Sequence, residues 1–248
     1  MIVVVPVDPP FESVVGAELA SETPLTAAEA TRLYAASVAD VVYAVSESGG
    51  DLLVNYRDEE TLPDVDEGDE SETAIRDLVE SALGEESLDD DVRFERQVGS
   101  THSARVGNTV THLLEREGAA SVCVLDPLTP LVRRTELDAA AMACRRHEVV
   151  LGPAQSGQVY LATFTNSIDF TDVYDAQPLS QLASRAVEEG LSVSFVPKLA
   201  TVADARGLVD TLVELDARTT AGRPAPSATA EILESLDLTV DGTDLVRT

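Results

Sequence analysis

Lysine occurs once in the 248 residues, at Lys198, and tryptophan is absent. There are two cysteines and three histidines, at spacings that match no zinc-ligand pattern. Cys123 falls in an apolar strand-like run and Cys144 in a helical pattern. With no secretory leader, both read as buried, inert thiols rather than a disulfide or a nucleophile. Basic residues are scarce as a class: 17 Lys and Arg stand against 45 Asp and Glu, for a formal charge of −28. Such a field repels nucleic acid and anionic membrane surfaces, so neither is expected as a partner. No apolar run is long enough to span a bilayer. Met1–Val7 is too short for a signal segment and lacks a basic leader, so a cytoplasmic protein is expected. The acids are spread along the chain rather than gathered in a tail, and arginine carries nearly all the positive charge. That pattern reads as habitat, the surface of a salt-loving archaeal protein, where molar salt shortens the Debye length to ~3 Å.

What the chain does contain is ordinary for a globular α/β protein: 44% hydrophobic residues and strand-like runs alternating with helical ones. Ile2–Val7 is expected as a buried strand, followed by a loop over Asp8–Thr23. Thr26–Ser46 carries an apolar face through Leu33, Tyr34, Val38, Val41, Val42 and Val45, opened by a Thr26/Glu29 capping box. Further strands are expected at Leu52–Tyr56, Val92–Val98, Ser121–Leu125, on both sides of Gly157, and at Leu191–Val196. Helices are expected at Ala74–Leu83, Ser103–Glu117, Thr135–Arg146, Pro178–Glu189 and Val202–Arg218, with Arg57–Glu72 an acidic loop. This alternation predicts a mostly parallel sheet flanked by helices. The closely spaced strands around Gly157 predict one antiparallel insertion. The main domain is expected over residues 1–221. Residues 222–248 hold a GRPAP linker, a helix and a small hairpin about Asp241-Gly242.

Two loops stand out for chemistry. The strand ending at Leu125 stops on Asp126, and the strand from Val149 breaks at Gly152-Pro153, passes Gln155-Ser156-Gly157 and returns. Ligands of open α/β sheets bind outside the carboxyl ends of the strands, which is where these loops fall.

Four segments resemble the nucleotide-diphospho-sugar transferases of glycosyltransferase-A type. More narrowly they resemble glycosyltransferase-like relatives of phospholactate and molybdenum-cofactor guanylyltransferases, over roughly residues 1–210. Gly152-Pro153-Ala154-Gln155-Ser156-Gly157-Gln158-Val159-Tyr160-Leu161 matches the family's Gly-Pro-x-x-Asp-Gly-Gly-Tyr-Tyr-Leu at five positions, with Ser156 where the acid stands. Val124-Leu125-Asp126 corresponds to Gly-Ser-Asp and keeps the Asp. Arg105 is the surviving arginine of Gly-Asp-Leu-Gly-Glu-Arg-Met, here Ser100–Val106. The loop after strand one ends Val15-Gly16-Ala17-Glu18-Leu19 instead of Val-Lys-Thr-Arg-Leu, so both phosphate-gripping cations are replaced. A late acidic segment becomes Thr201-Val202-Ala203-Asp204-Ala205, with neither acid in register.

The resemblance implies a nucleotide or sugar-nucleotide site at Pro6, Arg105, Gly152, Pro153, Gln155, Ser156 and Gly157. It also implies Asp126 on a Mg²⁺ ion that bridges phosphates. Plainer readings stand beside these. Asp126 can be a turn former, Gly152 and Gly157 can serve backbone geometry alone, and Arg105 can pair with a surface acid. His102 can be a solvent-exposed helix start and Tyr160 a core residue. The pattern of losses leaves three functions open: a transferase with weakened or lost catalysis, an active metal-dependent transferase, and a binding protein for a less anionic ligand. The sequence leaves oligomeric state open.

Overall fold

The computed structural model describes residues 1–62, 70–85 and 92–247. Seven strands form one sheet: β1 (Ile2–Val7), β2 (Asp51–Tyr56), β3 (Val92–Arg96), β4 (Val122–Leu125), β5 (Val149–Pro153), β6 (Val159–Phe164) and β7 (Val193–Phe195). Their order is β3-β2-β1-β4-β6-β5-β7. All run parallel except β6, which pairs antiparallel with β4 and β5. The helices are α1 (Ala17–Glu22), α2 (Ala27–Ser46), α3 (Ser71–Leu83), α4 (His102–Thr111), α5 (Arg134–Ala143), α6 (Pro178–Glu188), α7 (Ala205–Thr220) and α8 (Ser227–Ser235). The alternation expected from the sequence, and the antiparallel insertion at Gly157, are both present.

Central strands buried on both faces need apolar residues at every position, which is why β1 and β4 read as continuous runs. Val3, Val5, Cys123 and Leu125 face one core with α2, α3 and α5. Val4, Val122 and Val124 face the other, with α4 and α6. Thr26 caps α2 with the reciprocal Thr26/Glu29 box that the sequence announces. Burial raises the thiol of Cys123 to about 12 and that of Cys144 to about 11, so neither is an activated thiolate.

Several boundaries differ from expectation. The segment after β1 is not all loop, because α1 forms over Ala17–Glu22 and buries Leu19. Helix α3 begins at Ser71, three residues before Ala74. Helix α4 ends at Thr111 and widens into a π turn at His112–Arg116. Val202–Asp204 precede α7 instead of opening it, because the Asp204 carboxylate caps the helix by accepting the Gly207 N–H at 2.7 Å. Part of the acidic stretch 57–72 lies outside the described residues.

Beyond GRPAP, α8 and the hairpin β8 (Leu238–Asp241) and β9 (Asp244–Arg247) pack back on the sheet domain. Leu233 and Leu236 join Leu19, Leu25, Leu33, Leu131, Leu208 and Leu215 in a third core. The Asp40 carboxylate on α2 accepts the Ala228 and Thr229 N–H groups at 3.1 and 2.7 Å, supplying the cap that α8 lacks locally.

Candidate functional site

The sheet reverses its winding between β1 and β4. β2 and β3 lie to one side of β1 in sequence order, and the chain then crosses to the other side. Two neighbouring parallel strands whose connections leave in opposite directions open a crevice at their carboxyl ends. A cavity of about 270 Å³ lies there, lined by Pro6 near the end of β1 and Asp8 just beyond it, by Val124 in β4 and Asp126 just beyond it, and by the start of β6.

The first polar residue beyond each of β1 to β4 belongs to this region: Asp8, Arg57, Gln97 and Asp126. Gln97 is buried, and its Nε2 donates to the Asn55 carbonyl at 2.7 Å. Its Oε1 accepts from Arg105 Nε at 2.7 Å. Asn55 is held in turn by Thr109 Oγ1 and by its own bond to the Glu95 carbonyl, each at 3.1 Å. This chain of amides fixes the Arg105 guanidinium from behind. Burial lowers the Arg105 pKa, Arg57 adds to the lowering, and Asp8 opposes it. Asp126 folds back so that Oδ1 accepts the Leu128 N–H at 2.8 Å. Burial pushes its carboxyl up to about 6, and no cation offsets that effect.

The wall between is aromatic. The Tyr34 hydroxyl accepts the Asp8 N–H at 2.8 Å and donates to the Asp8 carbonyl at 3.0 Å, pinning the loop after β1. His102 meets Tyr174 edge-on, with ring centroids 4.7 Å apart. His102 opens α4 and is exposed to solvent, yet desolvation by the protein around it pushes its pKa down to about 4, and Arg105 and Arg57 add to the lowering. Neutral at physiological pH, it offers a hydrogen-bonding nitrogen rather than a charge.

Of the residues expected at a site, Pro6, Arg105 and Asp126 are brought together on this cavity. Gly152, Pro153, Gln155, Ser156 and Gly157 are not on its lining; the loop contributes Gln158 and Val159 instead. Gln155 is buried and bonded to Thr201, with Nε2 to Oγ1 at 2.7 Å and Oε1 to the N–H at 3.1 Å. The Gly152 backbone crosses the Tyr160 ring, where a Cβ would lie 2.6 Å from a ring carbon. Ser156 takes the left-handed turn at φ 56°. Tyr160 is a core residue whose hydroxyl donates to the Pro197 carbonyl at 3.1 Å, although the residue also borders the cavity. Sequence reading missed Asp8, Tyr34, Arg57, Gln97 and Tyr174. Position at a strand's carboxyl end was the available signal for three of these, and Tyr34 and Tyr174 carry none.

The residues present do not fit a resident metal. Asp126 offers one oxygen beyond its turn, and among the described residues no three His, Cys, Asp or Glu side chains gather as ligands. The lost lysine position is also closed by packing. Gly16 sits at φ 88°, and a Cβ there would lie 2.9 Å from the Thr31 nitrogen. Gly16→Lys is therefore expected to lower stability by about 1 kcal/mol and to leave nucleotide affinity unchanged. Urea titration beside calorimetry checks both halves, and a gain in triphosphate affinity would show that the loop still forms a phosphate grip.

No family model matches the chain, and no curated protein sequence matches it. Solved structures do. A provisionally assigned nucleotide-diphospho-sugar transferase from Desulfovibrio desulfuricans G20 superposes with a TM-score of 0.73 at 18% identity, covering 95% of this chain and 94% of that one. A cytidylyltransferase from Leptospira borgpetersenii serovar Hardjo-bovis follows at a TM-score of 0.49 and 10% identity, covering 94% and 93%. No helix among the described residues is long and apolar enough to cross a membrane. The fold of this chain is that of the nucleotide-diphospho-sugar transferases: a mostly parallel, seven-stranded mixed sheet between helices, with its crevice at the β1/β4 switch point.

Proposed function

We propose that this chain is a divergent relative of the nucleotidyl- and glycosyltransferases with weakened or lost catalysis, binding a nucleoside- or sugar-type ligand that carries a single anionic group. One observation carries the reading. Among the described residues that line the cavity, Arg105 is the only lysine or arginine, and the two carboxylates on the same lining are Asp8 and Asp126. A triphosphate needs several cations or a metal to neutralise it, whereas one charge-assisted fork suffices for one anionic group. The cavity volume of about 270 Å³ suits a ligand of one or two rings. Tyr34, His102 and Tyr174 supply flat apolar surface with polar edges, and Asp126 supplies an acceptor for hydroxyls.

Calorimetric titration of nucleosides, nucleoside monophosphates and triphosphates, with and without Mg²⁺, tests the proposal. Affinity should rise from nucleoside to monophosphate and gain nothing further at the triphosphate. Tightest binding by a Mg²⁺-triphosphate, with pyrophosphate released when a sugar phosphate is added, would overturn it in favour of an active transferase. Asp126 at the end of β4 is the one feature that favours that second reading. The same titrations run across KCl concentrations test the attribution of the −28 charge to a salt-rich archaeal cytoplasm. The melting temperature should climb toward molar salt as like charges are screened, and a flat response would remove the attribution.

A further inference from the structure

Positive charge is scarce in this protein, yet two arginines stand beside Asp8: Arg105 on the cavity lining, and Arg57 just behind that lining. Arg57 follows β2 directly, Arg105 lies in the first turn of α4, and both are close enough to act on Asp8. Their bonding is incomplete. Arg105 commits only Nε, to Gln97, and among the described residues its two terminal nitrogens make no hydrogen bond or ion pair. Arg57 gives Nη2 to the Thr61 carbonyl, and its Nε is buried without a partner. Its Nη1 reaches the Asp8 carboxylate only at 3.5 Å.

The neighbouring acid does not relieve the pair. Asp58 is turned toward Arg96, with an Oδ2 to Nη1 distance of 2.7 Å, and its Oδ1 accepts from Thr61 Oγ1 at 3.1 Å. Asp8 is thus the single carboxylate shared by the two guanidinium groups, and it is held loosely. Burial raises its pKa even against the pull of both arginines. Two arginines against one loosely held acid leave a local excess of positive charge in a chain of net −28. A buried donor without a partner carries a cost that an incoming acceptor removes.

We propose that Arg57 and Arg105 form a seat for the phosphomonoester of a ligand, and that the Asp8 carboxylate is the internal anion which this group displaces. The inference rests on the proposed function for the identity of the remaining ligand but adds the subsite and its second cation. A phosphomonoester fits better than a carboxylate. Its three terminal oxygens can bridge two guanidinium forks, whereas the two oxygens of a carboxylate are satisfied by one. The anion grip has in this reading moved from the loop after β1, where Gly16 and Glu18 now stand, to the end of β2.

The sign of one substitution separates this arrangement from a merely structural ion pair. Asp8→Asn keeps the shape of the side chain and removes its charge. Inorganic phosphate, followed by calorimetry and by the rise in melting temperature at fixed KCl, should bind Asp8→Asn at least about threefold more tightly than the parent chain. It should bind Arg57→Gln about tenfold more weakly, the scale of one charge-assisted hydrogen bond, with Arg57→Lys partly restoring it. Acetate should show a smaller response to the same changes. Far-UV circular dichroism of each variant without phosphate reports folding. Unchanged or weaker phosphate binding by Asp8→Asn, an Arg57→Gln variant that binds as well as the parent, or no binding to either the parent or Asp8→Asn would each overturn the seat. If phosphate follows the expected pattern while nucleosides and nucleoside monophosphates all fail to bind, the nucleoside-type ligand fails and the seat stands. Monophosphate binding that ignores both substitutions has the reverse meaning.

Discussion

Replacing Gly207 with alanine is expected to cost this protein about 3 kcal/mol or more, the upper range of overpacking a core. A Cβ at that position would lie 1.9 Å from the Thr201 carbonyl oxygen and 2.4 Å from Gln155 Nε2. Neither neighbour can yield cheaply. The Thr201 oxygen is backbone, and the Gln155 amide is buried and bonded at 2.7 and 3.1 Å to Thr201 and at 3.4 Å to Asp204. Asp204 caps α7 through the Gly207 nitrogen itself. Pushing α7 away therefore strands a buried amide and loosens a helix cap in one step. Gln158 follows this loop and lines the cavity, so ligand affinity should fall along with stability. Urea denaturation of Gly207→Ala beside Gly49→Ala, where a Cβ would meet nothing within 4 Å, makes the comparison. Equal midpoints for the two variants would mean that the Gln155–Thr201 lock is not what holds the glycine-containing loop.

That lock explains why five of the eight expected site residues lie off the cavity lining. Gly152, Pro153, Gly157, Tyr160 and Leu161 were legible as a motif because backbone geometry and packing over Tyr160 demand them. Those demands belong to the fold, and they persist whether or not a ligand is bound. Gln155 and Thr201 stand where an acid-bearing loop and an acidic segment would meet, and here they bond to each other. The mostly parallel sheet, the antiparallel β6 and the capping box of α2 were legible because periodicity, strand spacing and local capping encode them, whereas the strand order was not. α1 was not, since six residues with one buried leucine give too little periodic signal. Arg57 and Asp8 escaped for a different reason. Each is a lone charged residue after a strand, and only the parallel pairing of β1 with β2 brings the two side by side. The position of Asp126 was legible because the end of a buried strand is a conspicuous place for a carboxylate.

Asp126→Asn should stabilise the protein at neutral pH while weakening its ligand. Burial raises the Asp126 pKa from 3.8 to about 6, so the folded state holds this proton more tightly than the unfolded chain does. Between those values the folded form binds more protons. The contribution of Asp126 is therefore most favourable below about pH 4, declines as pH climbs toward 6, and stays unfavourable above it. The whole gap corresponds to ~3 kcal/mol. Asp126 is only partly buried, and solvent reaching the cavity mouth reduces the expectation to about 2 kcal/mol. Asparagine keeps the oxygen that accepts the Leu128 N–H, so the turn survives and the comparison isolates the charge. Chemical denaturation at pH 8 should show the variant about 2 kcal/mol more stable, and at pH 4 the difference should vanish. Ligand affinity should move the other way, by about tenfold, if the carboxylate accepts ligand hydroxyls. A carboxylate kept at a strand end against its own desolvation cost is what a binding site requires and a mere turn former does not. An Asn variant that is no more stable at pH 8, or that binds nucleoside monophosphates as tightly as the parent, would reduce Asp126 to a turn residue and leave the cavity without its acidic pole.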